Sequence, residues 1–320
     1  MLIKRKRGWE IPEREATPEA VFHDRRRLAK LIAAGPILAA AAPLLPRGAF
    51  AADAPAAEPA MRNLRYRLDR EVTDEKYSTH YNNYYEFNTT KDVVAQAQKL
   101  PVSPWKIKIE GLVDKPMTVD FDDLLKKMKL EERLYRHRCV EAWSMAVPWS
   151  GFPMKDFIAF CQPKSDAKYV VMKTAADKAN MPGIRSNPFW PWPYTEGLTM
   201  EEGNNELAFM VTGMYGKPVP KQDGAPLRLA VPWKYGFKSV KSIVSVEFTT
   251  KRPKTFWEEV GPSEYGFWAN VNPKVPHPRW SQADEEVLGQ GKRVPTMLYN
   301  GYEEFVADLY KGKEGEKLFM

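Results

Sequence analysis

Apolar and polar residues alternate from Trp105 to Glu110, which predicts a strand with the Trp105 ring on one face. β-rich runs recur at Lys168 to Lys173, Leu207 to Thr212, Leu227 to Val231 and Ser242 to Thr249, so strands are expected to dominate. Asp120-Phe121-Asp122-Asp123 reads as a helix start, because acids suit the positive end of a helix dipole and Lys126, Lys127 and Lys129 follow. Many of the 27 prolines fall between these runs, as in Pro188-Phe189-Trp190-Pro191-Trp192-Pro193, so long shaped loops are expected. Loops of that kind tend to carry sites. The pattern predicts a strand-rich chain with at least one helix.

The N-terminal pattern is of another kind. The basic stretch Asp24-Arg25-Arg26-Arg27-Leu28-Ala29-Lys30 precedes a weakly apolar run from Leu31 to Leu45, then Ala49-Phe50-Ala51, a small-x-small cleavage site. It resembles a twin-arginine export signal, with Asp24 in place of the usual Ser or Thr. The apolar run is short, Ala-rich and interrupted by Pro36 and Pro43, and no later stretch approaches the ~20 apolar residues of a membrane span. Residues 1–51 are therefore expected to be a cleaved signal, 52–70 an Ala/Pro-rich and then charged flexible lead-in, and 71–320 one domain. Such a signal implies export of a folded chain to the periplasm by the twin-arginine machinery, often around a cofactor. The net charge of +7 belongs largely to that segment: ten basic and five acidic residues lie up to Ala51, leaving 38 against 36. A basic nucleic-acid face is thereby excluded.

Two cysteines carry the candidate chemistry. Cys161 ends the apolar stretch Phe157-Ile158-Ala159-Phe160 and reads as core. Cys139 lies in Arg136-His137-Arg138-Cys139-Val140-Glu141-Ala142-Trp143, where flanking cations favour the thiolate, the form that binds metals. In an oxidising compartment a Cys139–Cys161 disulfide, a buried thiol and a functional thiolate all remain open on these grounds. His80, His137 and His277 have no zinc-site spacing, and His137 alone sits where its charge could tune the thiolate. No Gly-rich loop opens a helix in Rossmann fashion, so a bound nicotinamide or flavin donor is not expected. The ten tryptophans mostly read as core; Trp190 and Trp192, set among prolines, are the candidates for exposure and for contact with a polypeptide.

Tyr135 to Met145, followed by Val147-Pro148-Trp149-Ser150-Gly151, resembles the metal-ligand segment of the sulfite oxidase superfamily. More narrowly, it resembles the periplasmic catalytic subunits of protein-methionine-sulfoxide reductases. Further blocks agree in order: Tyr81 to Phe87, Asp223 to Arg228, Val231 to Lys238, and Glu264 to Phe267 with Asn270 to Pro273. The resemblance implies an α+β, sulfite oxidase-type molybdopterin-binding fold of mixed sheets with long loops, with Mo-molybdopterin between its β-rich parts and Cys139 as the molybdenum ligand. It implies reduction of methionine sulfoxide in oxidised periplasmic proteins, with electrons from a haem-containing integral membrane subunit fed by quinol. Asn82, Tyr85, Glu86, Thr174, Asp223, Arg228, Ser239, Val240 and Lys241 are implied at the cofactor. Arg228 suits a phosphate through its planar fork and Lys241 as a point charge. Asp223 stands where Asn is expected and Ser239-Val240 where Gly-Ile is expected, so Asp223 either uses its backbone or accepts from ring N–H groups.

Asn83 and Glu141 are candidates for the metal pocket, Asn83 as a neutral donor and Glu141 either as a proton source or in an ion pair with Arg138 or Arg136. Arg138 is a candidate to bind substrate oxygen or to support the thiolate. Two alternatives stand beside the reductase: oxidation of a small anion such as sulfite, which would want converging arginines, and a non-catalytic exported binding module.

Overall fold

The computed structural model describes residues 60–320; the expected signal and the lead-in up to residue 59 lie outside the described residues. Two sheets make up the framework. In the first, β1 (Met61–Arg62), β4 (Glu131–Arg138), β5 (Trp143–Pro153), β12 (Asp284–Val287) and β13 (Lys292–Pro295) pair in that order. β5 also pairs with β8 (Phe209–Met214), which carries β9 (Lys217–Pro218) and β10 (Arg228–Ala230). The second sheet runs β3 (Met117–Asp120), β2 (Lys106–Gly111), β11 (Ile243–Thr249), β6 (Tyr169–Thr174), β7 (Thr195–Thr199).

The five strands expected from alternation and β-rich composition are all present as β2, β6, β8, β10 and β11, displaced by one or two residues. The helix Phe121–Leu125 begins where the acids placed it, with the Asp120 carboxylate accepting from the Asp122 amide at 3.0 Å. The expected flexible lead-in is corrected for its described part. Met61–Arg62 pairs in parallel with Glu131 and Glu132, Tyr66 is only 6% exposed in the core, and Arg65 ion-pairs with Glu206. Burying an aromatic ring and closing a ladder offset the entropy that would otherwise leave this segment loose.

The two strands that matter most for the site, β4 and β5, form an antiparallel hairpin from Glu131↔Gly151 to Arg138↔Ser144. β5 is buried along nearly its whole length because it is central, with β4 on one side and β8 on the other. At Gly151 a Cβ would stand 2.0 Å from the Met210 carbonyl oxygen, so only glycine lets β8 approach there. In the second sheet β11 and β6 are antiparallel, which sets Ile243 opposite Thr174 and so brings Lys241 and Thr174 to one end. Cys161 closes the helix Met154–Cys161 in the core, as expected, and both cysteines are free, so the disulfide does not form. Among the described residues no helix is long and apolar enough to cross a membrane.

Candidate metal and cofactor site

Cys139 follows β4 directly and occupies a four-residue turn into β5. Its amide donates to Trp143 O at 2.9 Å, its carbonyl accepts from Ala142 N at 3.1 Å, and Ala142 takes a left-handed φ of 63° to close the turn. The turn is also held from outside. Trp280 Nε1 and Gln282 Nε2 both donate to Val140 O at 2.7 Å, and the Arg138 guanidinium donates to Cys139 O. Around Sγ itself contacts are long: Glu141 N at 3.5 Å and Asn83 Nδ2 at 3.7 Å. A metal ligand whose backbone is fixed and whose sulfur is lightly engaged is preorganised for coordination.

The expectation that flanking cations stabilise the thiolate is corrected. Arg138 is fully buried and bound to Glu285 at 2.9 Å, and Arg136 is bound to Asp69, so neither charge is free for Cys139. Burial, with the nearby Glu141 carboxylate, pushes the thiol up to about 12. The same pairing removes Arg138 as a binder of substrate oxygen. His137, which lines the cleft, is pushed well below its ordinary value by burial and by Arg228 and Lys241, so it is neutral and does not tune the sulfur by charge.

Glu141 is ion-paired, but to Lys91 at 2.5 Å, not to Arg136 or Arg138. Burial would raise its carboxyl; Lys91 and the donors Asn83 Nδ2 (3.2 Å) and Trp143 Nε1 (3.3 Å) outweigh burial and hold it below its ordinary value. Glu141 is therefore an anion at neutral pH and not a stored proton. Tyr85, whose phenol is pushed upward by burial, keeps its O–H 3.5 Å from Glu141.

The opposite wall is assembled from three distant stretches. Tyr84 O–H donates to Ser242 Oγ at 2.6 Å, and Ser242 Oγ donates to Ala225 O at 2.6 Å, tying the 82–86 loop to the 223–242 segment. Asn82 Nδ2 donates to Asp223 Oδ1 at 2.6 Å, and Lys241 Nζ to Asn83 O at 2.9 Å. Arg228 Nη1 donates to Asp223 O at 2.7 Å. Gly183 presses on this loop so closely that a Cβ would lie 2.1 Å from Tyr85 O. Below Ser239, the buried Lys238–Glu196 pair (2.5 Å) anchors the segment to β7.

Glu86, Asp223, Arg228 and Lys241 converge here. Burial raises both acids to about 7 and lowers Arg228 to about 10 and Lys241 to about 8. Two acids and two bases compensate one another within a buried site, the arrangement in which an anionic group can be admitted by modest proton adjustment.

Eleven of the twelve residues expected at the site line one cleft that opens to solvent. Val240 is the exception: its side chain packs in the core, and only its backbone serves the segment, accepting from Leu229 N. Val240 alternates with Ser239 and Lys241, which explains the inward turn. Asn82 Oδ1, Asn83 Oδ1, Thr174 Oγ1 and Asp223 Oδ2 are buried without a hydrogen-bond partner. Buried polar atoms are normally satisfied, so these orphans fit the edge of a flat hydrogen-bonding heterocycle, as Arg228 and Lys241 fit its phosphate and Cys139 fits the metal.

Sequence reasoning missed Trp257 and Tyr265 on this cleft and Lys91, the ion-pair partner of Glu141. Trp257 had a readable signal: Thr255-Phe256-Trp257-Glu258 is a capping box, and it forms one. Lys91 had none. Trp190 and Trp192 are not freely exposed as expected; they pack against Trp257 and Phe256 behind the rim.

A family model described as "Oxidoreductase molybdopterin binding domain" matches residues 94–257. A relative in Ralstonia nicotianae, named protein-methionine-sulfoxide reductase catalytic subunit MsrP, is 46% identical over 333 aligned positions, covering 100% of both chains. One of the same name in Xanthomonas campestris pv. campestris is 46% identical over 96% of this chain and 97% of that one, and one in Burkholderia mallei 47% over 98% and 96%. Among solved structures, the sulfane dehydrogenase SoxCD of Paracoccus pantotrophus matches with TM-score 0.43 and 18% identity over 57% of this chain and 46% of that one, too partial a likeness to argue from.

Proposed function

This chain belongs to the molybdopterin-binding oxidoreductases and, within them, to the protein-methionine-sulfoxide reductase catalytic subunits, and from that premise we propose that it reduces methionine sulfoxide residues of exported proteins in the periplasm. Its cofactor is Mo-molybdopterin, which when bound supplies two-electron oxygen-atom chemistry. The net change is sulfoxide plus two protons and two electrons to thioether and water. Oxidation of methionine makes a flexible apolar side chain polar and damages cores and interfaces, which gives the repair its purpose.

The observation that carries this reading is the placement of the Cys139 sulfur in an open cleft beside four unsatisfied buried polar atoms. Cys139 would hold the metal. Asn82, Thr174 and Asp223 would meet the ring system, Arg228 and Lys241 the phosphate, with Glu86, Tyr85 and Ser239 completing the walls. Asn83 Nδ2 would donate to a sulfoxide oxygen, and the Glu141 carboxylate, as an anion, would accept a proton and pass it on toward that oxygen.

A small-anion oxidase would gather arginines, yet Arg228 is the single arginine among the described residues of the cleft, Arg136 and Arg138 being committed to Asp69 and Glu285. Free cysteines and a built cleft likewise disfavour a passive binding module. Export by the twin-arginine route rests on residues 24–51, and delivery of electrons by a haem-containing membrane subunit fed by quinol rests on the family resemblance. The test combines metal analysis with turnover. Wild type should hold one molybdenum per chain and reduce methionine sulfoxide in an oxidised, denatured protein, and Cys139→Ser should lose both. Turnover of sulfite alone would overturn the assignment.

A further inference from the structure

The loop Asn187 to Pro193 puts one aromatic side chain wholly into solvent: Phe189 is 98% exposed. The loop around it is fixed. Asn187 Nδ2 donates to Gly183 O at 3.0 Å, Trp192 Nε1 to Asn187 O at 2.9 Å, and Trp192 N to Trp190 O at 2.8 Å. Trp190 packs on Tyr85 at 5.9 Å and on Trp257 at 5.7 Å between ring centroids, and both of those rings line the cleft. Phe189 is therefore one residue along the chain from Trp190, whose ring packs on two side chains of the cleft wall. A lone exposed apolar residue is ordinary. An aromatic ring presented by a braced loop that packs on the wall of a cleft is preorganised contact area, obtained without further ordering on binding.

We propose that Phe189 is the docking residue for the substrate backbone's flanking sequence: it takes an apolar side chain of an extended polypeptide whose methionine sulfoxide enters the cleft. This rests on the reductase reading and specifies its substrate. Methionines of cores and interfaces have such apolar neighbours, and only an unfolded segment presents them in extended form. Phe189 is a specificity residue, not a catalytic one; it touches no group that reacts.

The test compares two substrates on the molybdenum-loaded enzyme: an oxidised, unfolded methionine-containing protein and free methionine sulfoxide. Burial of roughly 50 Å² of the ring at ~25 cal/mol/Å² corresponds to about tenfold. Phe189→Ser should lower kcat/KM about tenfold on the polypeptide, through KM with kcat held, and leave free methionine sulfoxide turnover and the melting temperature as in wild type. Phe189→Leu should recover most of the loss. An equal fall on both substrates, or none on the polypeptide, overturns the proposal. Wild type that turns over neither substrate rejects the reductase reading, and docking with it, which separates the two failures.

Discussion

Asp223→Asn offers the most direct check on the electrostatics of the cleft. Asp223 is 1% exposed, and burial raises its carboxyl from 3.8 to about 7. A folded-state value above the unfolded one means the native chain binds the proton more tightly, so the stability this residue contributes is fully present below pH 3.8 and is lost as pH rises through about 7. Three pH units at about 1.36 kcal/mol each set an upper bound of about 4 kcal/mol on that loss in protein prepared without cofactor.

Asparagine keeps the acceptor for Asn82 Nδ2 and leaves the carbonyl that receives Arg228, but removes the anion. Arg228 then loses a compensating charge, which costs on the order of 1–2 kcal/mol. The net expectation is that cofactor-free Asp223→Asn is about 2 kcal/mol more stable than wild type at pH 8, a rise of roughly 4–8 °C in Tm, with no gain at pH 4. Urea unfolding of both proteins across pH 4 to 9 measures this. A stability difference that does not vary between pH 4 and 8, or that has the opposite slope, would refute the reasoning.

Two further changes probe neighbouring parts. Lys91→Met removes the cation 2.5 Å from Glu141, so burial is left to dominate and the carboxyl moves up; the acidic limb of the pH–rate profile should shift to higher pH, and an unmoved limb would separate Glu141 from proton transfer. Gly183→Ala places a methyl 2.1 Å from Tyr85 O and must displace the 82–86 loop, costing about 1–3 kcal/mol and lowering molybdenum content, as read by calorimetry and elemental analysis.

The legible part of this molecule is what period and composition encode locally. β2, half of whose faces are solvated, shows its alternation, and Asp120 shows its cap. β4 and β5 stayed hidden as strands, because β5 is buried on both faces and carries Pro148 and Gly151, so it has no period of two to read. The site residues were found through their resemblance to a known segment, and eleven of them meet in one cleft. Their electrical state was not legible. Arg136 and Arg138 sit beside Cys139 in sequence, but their charges are answered by Asp69 and Glu285, and Glu141 is answered by Lys91, 50 positions upstream. Pairing partners are chosen by topology, and the linear string of charges is silent about them.

The way the cleft is stitched has a bearing on how the chain matures. The Cys139 turn is a local object, closed by residues four apart, whereas its facing wall is joined by bonds between Asn82 and Asp223 and between Tyr84 and Ser242. A partly folded chain can thus carry the metal's anchor long before it has a cradle for the rest of the cofactor. The cofactor, spanning both, rewards only the complete arrangement, and its binding energy adds to the stability of that state alone. Occupancy and correct folding become a single quality mark, so that an empty chain is also the looser one and the first to meet a protease.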